Sequence, residues 1–120
     1  MRDYIHVTDL VAGHVAALEH LLHHPGLLQV NLGTGTGVSV LQMLRSFEQA
    51  CGRKIPFRFA ARRPGDIAAY WADPSRAAHI LDWRPELGVA AMCRDTWRWR
   101  TSQMKQAPRK KPARQLEAAS

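Results

Sequence analysis

Apolar side chains recur every three or four positions between Leu10 and Leu22, at Leu10, Val11, Val15, Leu18, Leu21 and Leu22. That spacing predicts an amphipathic helix. Thr8 and Asp9 are good N-caps at its start, and Pro25-Gly26 predicts a turn after His23 or His24. The preceding stretch, YIHV at 4–7, is aromatic and β-branched and reads as a short strand. LLQVNL, 27–32, reads as a buried strand, and GTGTG, 33–37, as a flexible loop. Ser39 and Gln42 form an S-x-x-Q capping box before a helix with Val40, Leu44, Phe47 and Cys51 on one face, and Gly52 suits its C-terminal end. IPFRF, 55–59, alternates as a strand does. Asp73-Pro74 predicts a cap and first-turn proline for a short helix to about Leu81, broken by Trp83-Arg84-Pro85. Val89, Met92, Cys93, Thr96 and Trp99 predict a last helix over about 87–101. The fold class is α/β, a few helices with short strands.

At 120 residues the chain has room for one small domain. Its hydrophobic fraction of 46% supports a core. There is no apolar run of about 18 residues, so no membrane span is expected, and MRDYIHVTDL lacks the h-region of a signal peptide. Cys51 and Cys93 are far apart and read as reduced residues of a cytoplasmic protein. The net charge of +7 is uneven: residues 104–120 hold five cations against one carboxylate, and the rest holds 12 basic against 9 acidic side chains. The expected organisation is therefore a body at 1–102 and a basic, disordered tail at 103–120. The high pI is weak support for nucleic-acid binding.

Four groups of residues invite a chemical reading. GTGTG follows an expected strand but runs G-x-G-x-G, not the dinucleotide fingerprint G-x-G-x-x-G; a plain strand-to-helix turn is its simpler explanation. His20, His23 and His24 contain an i,i+4 pair but have no third ligand nearby, and a solvated helix end explains them. No metal site is assigned. Trp97 and Trp99 read as packing residues before stacking platforms. The strongest group is RRPGDIAAYWAD, 62–73, where arginines suit phosphate, an aspartate suits ribose hydroxyls and a tyrosine offers an apolar face with a polar tip. The alternative is a solvated turn in which Arg63 and Asp66 pair with each other. The chain contains no Y-x-x-x-K, the acid–base couple of short-chain hydride chemistry, so no catalytic residue is assigned.

Four blocks, in order, carry a family resemblance: RDYIHVTDLVAGHVAAL, VNLGTGTGVSVLQMLRSFEQACG, RRPGDIAAYWADPSRAAHILDWRP and MCRDTWRW. Over residues 2 to about 100 the chain resembles the C-terminal third of the UDP-glucose 4-epimerase family, the extended short-chain dehydrogenases/reductases. The resemblance implies the substrate-binding portion of that fold without a complete Rossmann domain. It implies that Arg2 and Arg63 hold the UDP diphosphate, that Asp66 contacts the uridine ribose and that Tyr70 lies close to the sugar, crowding out an N-acetyl group. In the family, NAD takes hydride from C4 of the sugar and returns it to the other face, interconverting UDP-glucose and UDP-galactose through a 4-keto intermediate.

The family's glycine fingerprint, catalytic serine or threonine and tyrosine-lysine pair all lie upstream of the matching region. The expectation is thus a truncated, catalytically silent chain that binds no NAD by itself and supplies UDP-sugar anchoring. The competing expectation is a nucleotide-sugar binding module, standing alone or complementing a separate N-terminal Rossmann half. A small basic nucleic-acid-binding protein is the third.

Overall fold

A computed structural model of the chain describes residues 1–106; the remainder of the expected tail lies outside the described residues. The elements run β1 (Arg2–Asp3), α1 (Val7–His23), β2 (Gly37–Val38), α2 (Val40–Cys51), α3 (Ser75–Leu81) and α4 (Val89–Gln106). β1 and β2 pair antiparallel, with Arg2 opposite Val38 and Asp3 opposite Gly37.

The cap of α1 is neither Thr8 nor Asp9. His6 takes that role, its ring Nδ1 accepting from the Thr8 backbone N–H at 3.1 Å. With Nδ1 accepting, the ring proton belongs on Nε2, which donates to Asp95 Oδ2 of α4 at 3.2 Å. Asp9 is buried and committed elsewhere. Its Oδ2 accepts from the backbone N–H groups of Glu86 at 3.1 Å and Leu87 at 2.8 Å, and its own carbonyl accepts from Trp83 Nε1 at 3.1 Å. One residue of α1 thereby fixes the Trp83-Arg84-Pro85 corner and the approach to α4.

Close contact at that corner depends on Gly13. A Cβ there would stand 2.9 Å from Leu32 Cδ1 and 3.1 Å from Trp83 Cε2, so a larger residue would force the Leu32 and Trp83 side chains to shift. Of the apolar stripe that predicts α1, Leu10 and Leu21 are half-buried, while the rest lies on another face. Val7, Val11, Val15, Leu18 and Leu22 are exposed, and nothing among the described residues covers them.

α2 begins with the expected reciprocal box, Ser39 Oγ accepting from Gln42 N and Gln42 Oε1 from Ser39 N, and ends at Gly52 with φ 67°. It packs along α4. Cys93 is buried there, its Sγ 3.6 Å from Met43 Sδ. The Phe47 and Trp97 rings meet edge-on with centroids 6.3 Å apart, an arrangement the aromatic quadrupole favours. Cys93 and Trp97, an i,i+4 pair, thus define the packed face of α4, while Thr96 and Trp99 are exposed. The helix continues to Gln106, past the expected end near 101.

The strands expected at 4–7, 27–32 and 55–59 do not form. A strand exists only where a neighbour takes up its N–H and C=O groups, and these segments find no ladder partner among the described residues. In IPFRF the alternation leaves Phe57 and Phe59 exposed, touching edge-on at 5.5 Å. Among the described residues the buried apolar side chains are Ala77, Trp83 and Cys93, a small core for four helices.

The Asp9 carboxylate should therefore contribute heavily to stability. Asp9→Ala leaves two backbone N–H groups without their acceptor, and we expect a loss of about 2–3 kcal/mol. A urea titration measures it; an unchanged midpoint would refute the role given to Asp9.

Candidate functional site

The segment R-P-G-D, 63–66, folds as a tight turn. Asp66 N–H donates to Arg63 O at 3.3 Å, Pro64 takes the second position and Gly65, with φ 80°, the third. Proline followed by a positive-φ glycine is the signature of a type II turn. The turn brings Arg63 and Asp66 together, with Arg63 Nε 3.6 Å from Asp66 Oδ2.

β1 supplies the second guanidinium. Arg2 Nη1 donates to the carbonyls of Met1 at 2.9 Å and Ile67 at 2.8 Å, and Nη2 lies 3.7 Å from Asp66 Oδ1. Arg62, the other arginine of the pair, donates from Nη2 to the Asp66 carbonyl at 2.5 Å. Arg2, Arg62, Arg63 and Asp66 line an open hollow of about 540 Å³, with Tyr4 and Val40 adding apolar wall. Three guanidiniums against one carboxylate make it a cationic focus, and their planar forks match phosphate oxygens. Asp66 is acceptor-only when ionised and retains lone pairs for hydroxyl donors.

The structure thus brings three of the four expected residues together. Tyr70 is the exception. Its backbone bridges Arg2 in parallel and its N–H donates to Met1 O at 3.1 Å, but its side chain is 65% exposed and is not part of the hollow's wall. Tyr4 and Val40 were not singled out from the sequence, and Arg62 only as part of the arginine pair. Arg62 adjoins Arg63, and Tyr4 lies two positions from Arg2, where an extended chain returns to the same side. Val40 arrives only through the pairing of β2 with β1, which no local pattern announces.

The glycine loop is engaged internally. Asp3 accepts from Thr34 N–H with both oxygens, at 3.0 and 3.1 Å, from Thr34 Oγ1 at 2.5 Å, from Gly35 N–H at 3.1 Å and, across the chain, from Ala72 N–H at 3.2 Å. Amide groups of the kind that cradle a phosphate in dinucleotide folds here surround a side-chain carboxylate. A Cβ at Gly33 would stand 2.6 Å from Asp3 Oδ2. GTGTG therefore does not fit a dinucleotide phosphate. Partial burial pushes the Asp3 carboxyl upward, but the hydrogen bonds from the Thr34 side chain and from the Thr34, Ala72 and Gly35 backbones outweigh it and hold the pKa below its ordinary 3.8.

His20 and His24 stack with ring centroids 4.5 Å apart and planes 19° from parallel. Among the described residues, no group of three or more histidine, cysteine, aspartate or glutamate side chains is placed to hold a metal.

A family model described as GDP-mannose 4,6 dehydratase matches residues 1–96. The UDP-glucose 4-epimerase of Bacillus subtilis (strain 168) is 54% identical over 102 residues, which cover 85% of this chain and 30% of that protein. The UDP-glucose 4-epimerase of Homo sapiens is 54% identical over 99 residues, 82% of this chain and 28% of that protein. Among solved structures, the UDP-glucose 4-epimerase of Stenotrophomonas maltophila, with bound NAD and formylated UDP-arabinopyranose, superposes with a TM-score of 0.83 at 44% identity, covering 88% of this chain and 31% of that one. The Bifidobacterium longum enzyme, in complex with NAD+ and UDP, gives a TM-score of 0.78 at 43% identity with the same coverage. The chain spans about 30% of the length of the Bacillus relative it matches.

Because the folded pKa of Asp3 is lowered, its stabilisation is complete above its ordinary value of 3.8 and is lost as pH falls below that towards the folded value. The stability gap between the wild-type chain and Asp3→Asn should accordingly be wide at pH 7 and narrow at pH 3. A gap of equal size at both values, measured by denaturant titration, would overturn this assignment.

Proposed function

The chain belongs to the GDP-mannose 4,6-dehydratase family, with UDP-glucose 4-epimerases as its relatives, and on that footing we propose that it anchors the UDP group of UDP-glucose and UDP-galactose. The observation that carries the reading is the convergence of Arg2, Arg62 and Arg63 on Asp66 around one hollow. Exposed ion pairs of this kind contribute little to stability. A diphosphate entering the hollow would exchange them for charge-assisted, bidentate contacts. Arg63 is the most available donor: its Nε faces Asp66 and the side chain is 88% exposed. Arg2 has committed Nη1 to two carbonyls, so it serves both the loop and the ligand. Asp66 would take the ribose hydroxyls.

The redox half of the reaction lies outside these residues. The relatives' structures hold NAD, but the glycine loop of this chain spends its amides on Asp3, and Y-x-x-x-K does not occur among its 120 residues. In our reading the interconversion through a 4-keto sugar needs a separate dinucleotide-binding half. The uncovered stripe of α1 supports such a partner. Free thiols at Cys51 and Cys93 suit the cytoplasm, and no helix among the described residues is long and apolar enough to cross a membrane.

Calorimetric titration tests the anchor. UDP should bind the wild-type chain, and Arg63→Ala should cost about 1.5–3 kcal/mol, roughly ten- to a hundredfold in affinity. Wild-type protein that ignores UDP would refute the reading. Tyr70 stands outside the hollow's wall, so it meets the ligand only where the sugar extends beyond the hollow; in that arrangement UDP-glucose should bind more tightly than UDP-N-acetylglucosamine, and equal affinities would leave Tyr70 no part in sugar selection. The chain alone should not interconvert UDP-glucose and UDP-galactose when NAD is supplied, and turnover by pure protein would show that its catalytic groups had been missed.

A further inference from the structure

Resting on the reading of the hollow as a UDP anchor, we propose that Asp3 is a positioning residue for it, holding Arg2 and the 62–70 loop in one arrangement. Successive side chains of a strand point to opposite sides. In β1, Arg2 reaches the hollow and Asp3 reaches the glycine turn. The same Asp3 carboxylate accepts from Ala72 N–H, two residues beyond Tyr70, whose N–H donates to Met1 O. Two staples therefore flank Arg2 and fix the returning end of the loop to β1. A third, Arg2 Nη1 to Ile67 O at 2.8 Å, lies between the loop's tip and that end.

The ligand-facing groups cannot supply this order themselves. Arg62, Arg63 and Asp66 are exposed, and the ion pairs of Asp66 with Arg2 and Arg63 span 3.7 and 3.6 Å. Exposed pairs of that kind are weak, so the common focus of the guanidiniums has to come from the backbone. The surroundings of Asp3 are tightly built. A Cβ at Gly33 would stand 2.6 Å from Asp3 Oδ2 and 2.8 Å from Ala72 Cβ, and one at Gly37 would stand 2.8 Å from Trp71 Cε3. Its lowered pKa agrees with a charge held by converging donors.

Asp3→Asn keeps the shape but loses the charge and presents an amide N–H₂ to backbone donors. UDP affinity should fall about tenfold or more. Amide exchange at Tyr70 and Ala72 should accelerate while that at Phe47 and Trp97, in the α2–α4 seam, stays as in the wild type. Because Asp3 acts on Arg2 as well as on the loop, Asp3→Asn/Arg2→Ala should lose less UDP affinity than the two single losses combined; a purely structural role would add its loss to that of Arg2. Additive losses, or unchanged affinity in Asp3→Asn, overturn the proposal. If Asp3→Asn does not fold, Thr34→Val removes only the hydroxyl donor and should cost roughly threefold in affinity; no change in that variant also overturns it. A wild-type chain that does not bind UDP would instead sink the anchor reading, and exchange at Tyr70 and Ala72 still decides the role of Asp3, since unaltered rates in Asp3→Asn exclude it.

Discussion

A carboxylate accepting backbone N–H groups from distant segments organises this chain more than apolar burial does. Asp9 joins α1 to Glu86 and Leu87, and Asp3 joins β1 to the glycine turn and to Ala72. With so few apolar side chains buried, these two aspartates supply much of the long-range definition. Such contacts are directional, and a buried amide that loses its acceptor keeps its desolvation cost. The helices can therefore be set at definite positions by a small core. Trp83 belongs to the same system, because its indole N–H is satisfied by the Asp9 carbonyl while its ring meets Gly13.

Asp3 and Asp66 take different parts beside Arg2. Asp3 is turned inward onto amide dipoles, so the neighbouring Arg2 is left to face the hollow with a weak carboxylate partner, Asp66, shared with Arg63. A second strong carboxylate beside Arg2 would have neutralised the cationic focus. The structural carboxylate and the cation of the hollow are thus adjacent residues that do not pair with each other.

What could be read from the sequence follows the range of the interactions involved. The Ser39–Gln42 box and the glycine end of α2 are local and appear as read, and all four helices form near their expected positions, although α1 is capped by His6, Pro74 caps α3 and α4 runs on to Gln106. The R-P-G-D turn is local too, and its Arg63–Asp66 pair is the one that the solvated-turn reading also expects. The three expected strands failed because pairing depends on partners that no short window contains. The contact face of α1 was hidden for a different reason: it is made by Gly13 and Asp9, a residue without a side chain and a buried charge, neither of which contributes to an apolar pattern. GTGTG was legible as a loop, but nothing in its composition says that its anion is Asp3, 31 positions upstream of Thr34. Arg2 was picked out by family resemblance, and only the fold explains its meeting with Asp66.

The uncovered stripe on α1 has a consequence for the behaviour of the chain in bulk solution. Molecules carrying +7 repel one another in dilute buffer. That repulsion reaches about 10 Å at 0.1 M ionic strength and about 3 Å at 1 M, while sulfate strengthens apolar association. Val7, Val11, Val15, Leu18 and Leu22 then meet with little opposing them. The same stripe that calls for a cover thus makes ionic strength the expected control on solubility, with salting out and retention on hydrophobic resins to be expected once the charge is screened.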